Sequence, residues 1–217
     1  MRLIAVLLLL ALLSSVLPSR AVLAEGEKAG AFDYYVLSLS WSPNWCALAG
    51  DARGAPQCAR AAGFGWVLHG LWPQYDRGWP SYCRTSARDP SRRQTAAMAD
   101  IMGDSGSAWH QWKKHGRCSG LSASAYFEAA RRAFEAIRRP AALRNLHGRV
   151  RIAASVVEQA FLRENPGLSA QGLSVTCKSG AIQEVRICLT RGLEPRACGE
   201  GLRDDCSLTD AILEPVR

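Results

Sequence analysis

Ten residues, Trp109 to Cys118 (W-H-Q-W-K-K-H-G-R-C), concentrate the groups of this chain that can move protons and hold anions. They carry two of its four histidines, with two tryptophans, two lysines and a cysteine. Imidazole titrates at about pH 6.5, so two histidines can divide the work of accepting and donating a proton near neutrality. The stretch has no Pro, Gly or β-branched residue before Gly116, which allows a helix. At about 100° per residue, His110, Gln111, Lys114 and His115 fall within about 140° of one another. His110–Lys114 and Gln111–His115 are the pairs one turn apart. Two proton carriers and a fixed cation on one face suit chemistry on a phosphate. A solvated basic face is the competing reading, and spacing alone does not choose between them.

The elements that must position this stretch are mixed helices and strands. Phe32 to Trp41 alternates, with Tyr35, Leu37, Leu39 and Trp41 on one side, and Ser42-Pro43 ends it. A second strand is expected from Phe64 to Leu71, stopped by Trp72-Pro73. Strict alternation there puts His69 on one face with Val67 and Leu71. A histidine so flanked is by default a hydrogen-bonded core residue. Helices are expected over residues 91–102, then Ala125 to Arg138 behind a Ser122 or Ser124 cap. A further short helix opens on a capping box at Ser155-Val156-Val157-Glu158. Strands Leu173 to Cys177 and Ile182 to Thr190 follow, the latter alternating Val185, Ile187 and Leu189 with Glu184, Arg186 and Cys188. This order is α+β.

Residues 1–24 have the grammar of a secretory leader: Arg2, an apolar run from Leu3 to Leu13, and Val22-Leu23-Ala24 before the cut. Residues 25–217 then form one domain, exported to a periplasm or to the outside and not held by a membrane. All eight cysteines lie in that part. Their wide spread and the lack of a C-x-x-C pair favour disulfides over zinc. Cys46 and Cys58 bracket a Gly/Ala/Pro-rich loop and suit a local bridge; the other pairings stay open. Lys and Arg number 27 against 19 Asp and Glu, which is compatible with a polyanionic partner without requiring one.

Phe64-Gly65-Trp66-Val67-Leu68-His69-Gly70-Leu71-Trp72-Pro73 resembles the first active-site segment of the ribonuclease T2 family. Trp109 to Cys118 resembles its second, in which a histidine, an acid, an aromatic, any residue, a lysine, a histidine and a glycine follow in order. Tyr35 to Pro43, Asn165-Pro166-Gly167 and Glu184 to Cys188 resemble further landmarks, so the likeness runs from Phe32 to Cys206. It implies an α+β fold with a central antiparallel sheet flanked by helices. It also implies bridges Cys83–Cys118, Cys177–Cys206 and Cys188–Cys198, leaving Cys46–Cys58 as the local one.

The implied activity is endonucleolytic cleavage of single-stranded RNA by a monomer, with no metal and no cofactor. The ribose 2′-OH attacks the adjacent phosphate and leaves a 2′,3′-cyclic phosphate, which can then be hydrolysed to a 3′-phosphate. By resemblance His115 is the general base, His69 the general acid, His110 a phosphate ligand and Lys114 the cation that stabilises the transition state. Trp72 resembles an aromatic that stacks on a base, with Tyr75 or Trp79 offering another face. Gln74 stands where some members have an Asp that helps choose the base. Gln111 replaces the family's usual Glu, and it is the one feature that favours a rival reading, a secreted RNA-binding homologue with impaired catalysis. A zinc protease is excluded by spacing, because H-E-x-x-H needs ligands four apart and His110 and His115 are five apart.

Overall fold

The computed structural model describes residues 27–202 and 205–217; the expected leader, residues 1–24, lies outside them. Strand β1, Tyr34–Trp41, is an interior strand of the sheet. Its Tyr35, Leu37, Leu39 and Trp41 enter the main core as alternation predicts. Strand β2, Trp66–Gln74, pairs with it on one side and β5, Ala181–Leu189, on the other, both antiparallel. β4, Leu173–Lys178, pairs antiparallel with β5. Two short strands extend the sheet: β3, Val150–Ile152, is antiparallel to β6, Ala211–Leu213, which meets β5 in parallel. The antiparallel sheet expected from the sequence therefore carries one parallel contact.

The helices are α1 (Ser42–Trp45), α2 (Arg92–Ala96), α3 (Ala99–Met102), α4 (Ser105–Lys114), α5 (Ala123–Ala136), α6 (Ala141–Arg144) and α7 (Ala154–Glu164). Phe127, Ala130 and Phe134 of α5 and Phe161 of α7 are buried in the main core, where Phe161 meets Trp66 edge-on. Three expectations need correction. Residues 91–102 form two helices, α2 and α3, rather than one. The box at Ser155 does not form, because α7 begins at Ala154 with no side-chain cap. Trp72-Pro73 does not stop β2: Pro73 pairs opposite Tyr35, and β2 lies at the end of the sheet order, where a missing N–H is tolerated.

All four expected disulfides are present: Cys46–Cys58, Cys83–Cys118, Cys177–Cys206 and Cys188–Cys198. The last two tie the C-terminal segment to β4 and β5. The first part of that segment lies over the second face of the sheet, where Leu202 packs with Val36 and Gly199 N–H donates to the Tyr34 hydroxyl; Cys206 packs against the main core, with its N–H on the Val175 carbonyl. Among the described residues no helix is long and apolar enough to cross a membrane.

Candidate active site

His69 owes its position to a β-bulge. Along β1, Leu37, Ser38 and Leu39 face Leu71, Gly70 and Leu68, so His69 is the extra residue on β2. The bulge flips the phase of the strand. Trp66, Leu68 and Leu71 all reach the main core, while the His69 side chain stays 43% exposed on the other face. The expectation that His69 shares a face with Leu71, and with it the default of a core histidine, fails for this reason.

A second bulge lies next to the partner of His69. Thr176 faces Glu184 and Cys177 faces Ile182, leaving Gln183 extra on β5. Ile182 turns into the core and Glu184 onto the second face, opposite Ser40 of β1. The Glu184 side chain is 2% exposed and lies 2.5 Å from His69 Nδ1 through Oε1. Its other oxygen, Oε2, accepts from Arg186 Nε at 2.9 Å and pairs with Nη2 at 2.8 Å. Burial pushes the Glu184 carboxyl up, but the hydrogen bond and charge of His69 and the charge of Arg186 outweigh it and hold it down at about 2. Glu184 is therefore a buried carboxylate with both oxygens engaged.

Helix α4 supplies the other half. Asp104 caps it by accepting from Ser107 N–H at 2.8 Å, and His115 closes it, outside helical geometry, with its N–H on the Gln111 carbonyl. Gln111 and His115 are buried, His110 is exposed and Lys114 half-buried. Burial, then the charges of Lys114, His69 and His110, hold the His115 imidazole down to about 2, so it is neutral at working pH. His110 is lowered by burial first, then by Lys114, His69 and Lys113.

Trp72 joins the halves. Its indole stacks on His115 with ring centres 5.2 Å apart and meets His69 edge-on at 5.1 Å. Its Nε1–H donates to Gln111 Oε1 at 2.7 Å, and the Arg186 guanidinium lies 5.6 Å from the ring centre. Gly70 makes room for this contact, since a Cβ there would lie 2.2 Å from Trp72 Nε1 and 2.3 Å from Gln111 Oε1. The two histidine-bearing segments thus meet around one ring.

The family model described as the Ribonuclease T2 family matches residues 32–198. The chain belongs to the ribonuclease T2 family. A ribonuclease of Aeromonas hydrophila is 35% identical, over 92% of this chain and 93% of its own. Among solved structures, an RNase-related protein from Calystegia sepium superposes with a TM-score of 0.62 at 20% identity, covering 87% of this chain and 98% of its own. RNase NT, solved in complex with 5′-AMP, gives 0.59 at 19% identity, with 83% and 97% covered. The fold and the enzyme class are those of a T2-type endoribonuclease.

The remaining residues expected at a T2 site are placed as follows. Gln111, standing where the family usually has Glu, spends its oxygen on Trp72. Trp72, expected as a stacking surface for a base, is half-buried, with His115 and Arg186 near its ring. Gln74 is buried, with its amide on the Pro73 carbonyl, and Tyr75 is half-buried against the main core. Trp79 is exposed. Tyr82, which the sequence did not single out, is exposed beside Lys114: its N–H donates to the Lys114 carbonyl at 2.8 Å, next to the Cys83–Cys118 bridge. A cavity of about 400 Å³ opens on the far side of His69, lined by Glu184, Ser40, Asn44, Arg53 and Lys178 among others.

Glu184 and Arg186 are the further site residues that sequence reasoning missed. On the strand pattern they read as the solvent side of β5. The available signals were the resemblance of Glu184 to Cys188 to a family landmark and charge on a strand whose neighbours, β1 and β4, present serines and a threonine in register with it.

Proposed function

We propose that this ribonuclease cleaves single-stranded RNA without metal, by internal transesterification. His115 takes the proton of the ribose 2′-OH as its oxygen bonds to phosphorus. The P–O5′ bond breaks, and His69 gives a proton to the departing 5′-oxygen, leaving a 2′,3′-cyclic phosphate and a 5′-hydroxyl. His110 and Lys114 hold the phosphate and the extra charge of the phosphorane. Water then opens the cyclic phosphate to a 3′-phosphate with the two histidines in exchanged roles.

The observation that carries this reading is the contrast between two imidazoles touching one indole. His115 is buried beside cations and kept neutral, as a base must be; His69 is half-exposed on a carboxylate, as a proton donor can be. Paired titratable groups in opposed environments mark the base and the acid. Tyr82 and Trp79 offer exposed rings to bases, and stacking tolerates any base. Four disulfides support a chain exported into an oxidising compartment, where it acts as a monomer with RNA as its partner.

The test is end-group analysis of a defined RNA cut in EDTA by wild type and by His115→Ala. Cyclic-phosphate ends from wild type, lost in the variant, are expected. A homologue that only binds RNA would leave it uncut, and cleavage of 2′-deoxy substrates at a comparable rate would refute the attack by 2′-OH.

A further inference from the structure

The buried carboxylate on β5 has no part in the scheme above, yet the chain positions it with care. Two bulges, at His69 and at Gln183, flank the place where His69 and Glu184 meet on the second face of the sheet. Glu184 is 1% exposed overall and lies in register with Ser40 and Thr176. Arg186 fixes one of its oxygens by two nitrogens, which leaves the other for His69 Nδ1 at 2.5 Å. A carboxylate so engaged accepts only, so the nitrogen it faces must carry a hydrogen. A buried ion pair costs desolvation and gains little stability over apolar packing, so this group calls for another explanation.

We propose that Glu184, held by Arg186, is the positioning residue of the leaving-group acid. It fixes Nδ1 of His69 as the donor to the carboxylate, aims the ring, and leaves Nε2 to deliver the proton to the 5′-oxygen. When Nε2 also carries a proton, the carboxylate supplies the counter-charge, and Arg186 balances it once His69 has given that proton away. A charge on His69 is felt by both other imidazoles of the site, His110 and His115, and a counter-charge beside it is useful for that reason. The inference rests on the assignment of His69 as the acid that protonates the leaving oxygen.

The experiment compares two substrates, a dinucleoside monophosphate and uridine 3′-(4-nitrophenyl phosphate). The aryl oxide departs without a proton, so groups that serve the acid matter only for the first substrate. Glu184→Gln keeps size and a hydrogen bond but removes the charge. It is expected to lower kcat on the dinucleotide by about 10- to 100-fold at unchanged KM, and to lose no more than about twofold on the aryl ester. His69→Ala should show the same selectivity with a larger loss, about 10²- to 10⁴-fold on the dinucleotide. Nitrogen-15 spectra of His69 should show the Nδ1-protonated ring in wild type and a mixture of tautomers in Glu184→Ala. Equal losses on both substrates for Glu184→Gln, with His69→Ala still selective, would make Glu184 merely structural and overturn the proposal. So would full activity of Glu184→Gln on the dinucleotide. Equal losses for His69→Ala itself would overturn the assignment of His69 on which the inference stands.

Discussion

The indole of Trp72 lies on the imidazole of His115 with 26° between the ring planes, and its N–H is fixed on the side chain of Gln111 one helical turn earlier. The strand that carries one histidine therefore grips the helix that carries the other. A general base must sit within hydrogen-bond reach of the proton it removes, and small displacements are costly.

Trp72→Phe keeps a ring against His115 but removes the N–H, leaving Gln111 Oε1 buried without its donor. Denaturant unfolding should show a loss of about 1–3 kcal/mol, with kcat reduced as His115 loosens. A variant as stable as wild type would show that the bond contributes nothing.

Gly70→Ala should be worse for activity than its size suggests. Its methyl would overlap both partners of the Trp72–Gln111 bond, so the ring must move off His115. Strain of about 1–3 kcal/mol is expected, together with a loss in kcat/KM of the order of 10²-fold, the cost of a misplacement of about 1 Å. Kinetics and melting on the same preparation check both.

Gln111→Glu returns the family's usual residue to a buried position beside His115. The variant should stay active. A carboxylate there favours the protonated imidazole, so the acid limb of the kcat/KM profile should move to higher pH than in the parent. An inactive parent revived by the change would contradict the roles given to His69, Lys114 and His115. An unmoved limb would mean that the side chain at 111 does not feel the base.

Acid should destabilise the protein in two stages. The native state refuses a proton at His115 that the unfolded chain accepts below about pH 6.5, so stability falls as pH drops from there toward 2. The slope is at most about 1.4 kcal/mol per pH unit. Glu184, depressed from 4.5 to about 2, adds a second loss as pH falls through that lower window. Unfolding in urea between pH 7 and 3 should give a slope that His115→Asn flattens above pH 4.5 and lowers below it, where the Glu184 contribution remains.

Much of this was legible in the residues. Alternation gave β1 its core face, the motif segments gave both histidines, and resemblance gave three bridges, with Cys46–Cys58 read from its local loop. What escaped was the phase of the strands. Period-two counting placed His69 with Leu71, and that placement fails because one extra residue separates them. Pattern reading assumes an even ladder, and a bulge leaves no mark in composition. Pro73 misled in a related way, since the stop it signals does not apply where the strand lies at the end of the sheet. Glu184 and Arg186 looked like solvent-side charges because only the folded sheet, with His69 and Trp72 of β2 set against them, reveals that they are enclosed.

The bulge at His69 makes the active site depend on how many residues β2 contains as well as on which ones. Leucines 68 and 71 anchor the strand from both sides, three positions apart where an even ladder would need two or four. Substitutions that keep those anchors leave the histidine where it is. Removal of Gly70 between them would instead restore regular pairing, set His69 squarely opposite Ser38, and put a side chain where Gly70 leaves room for the Trp72–Gln111 contact. A chain that kept every named side chain could thus lose its chemistry through length alone.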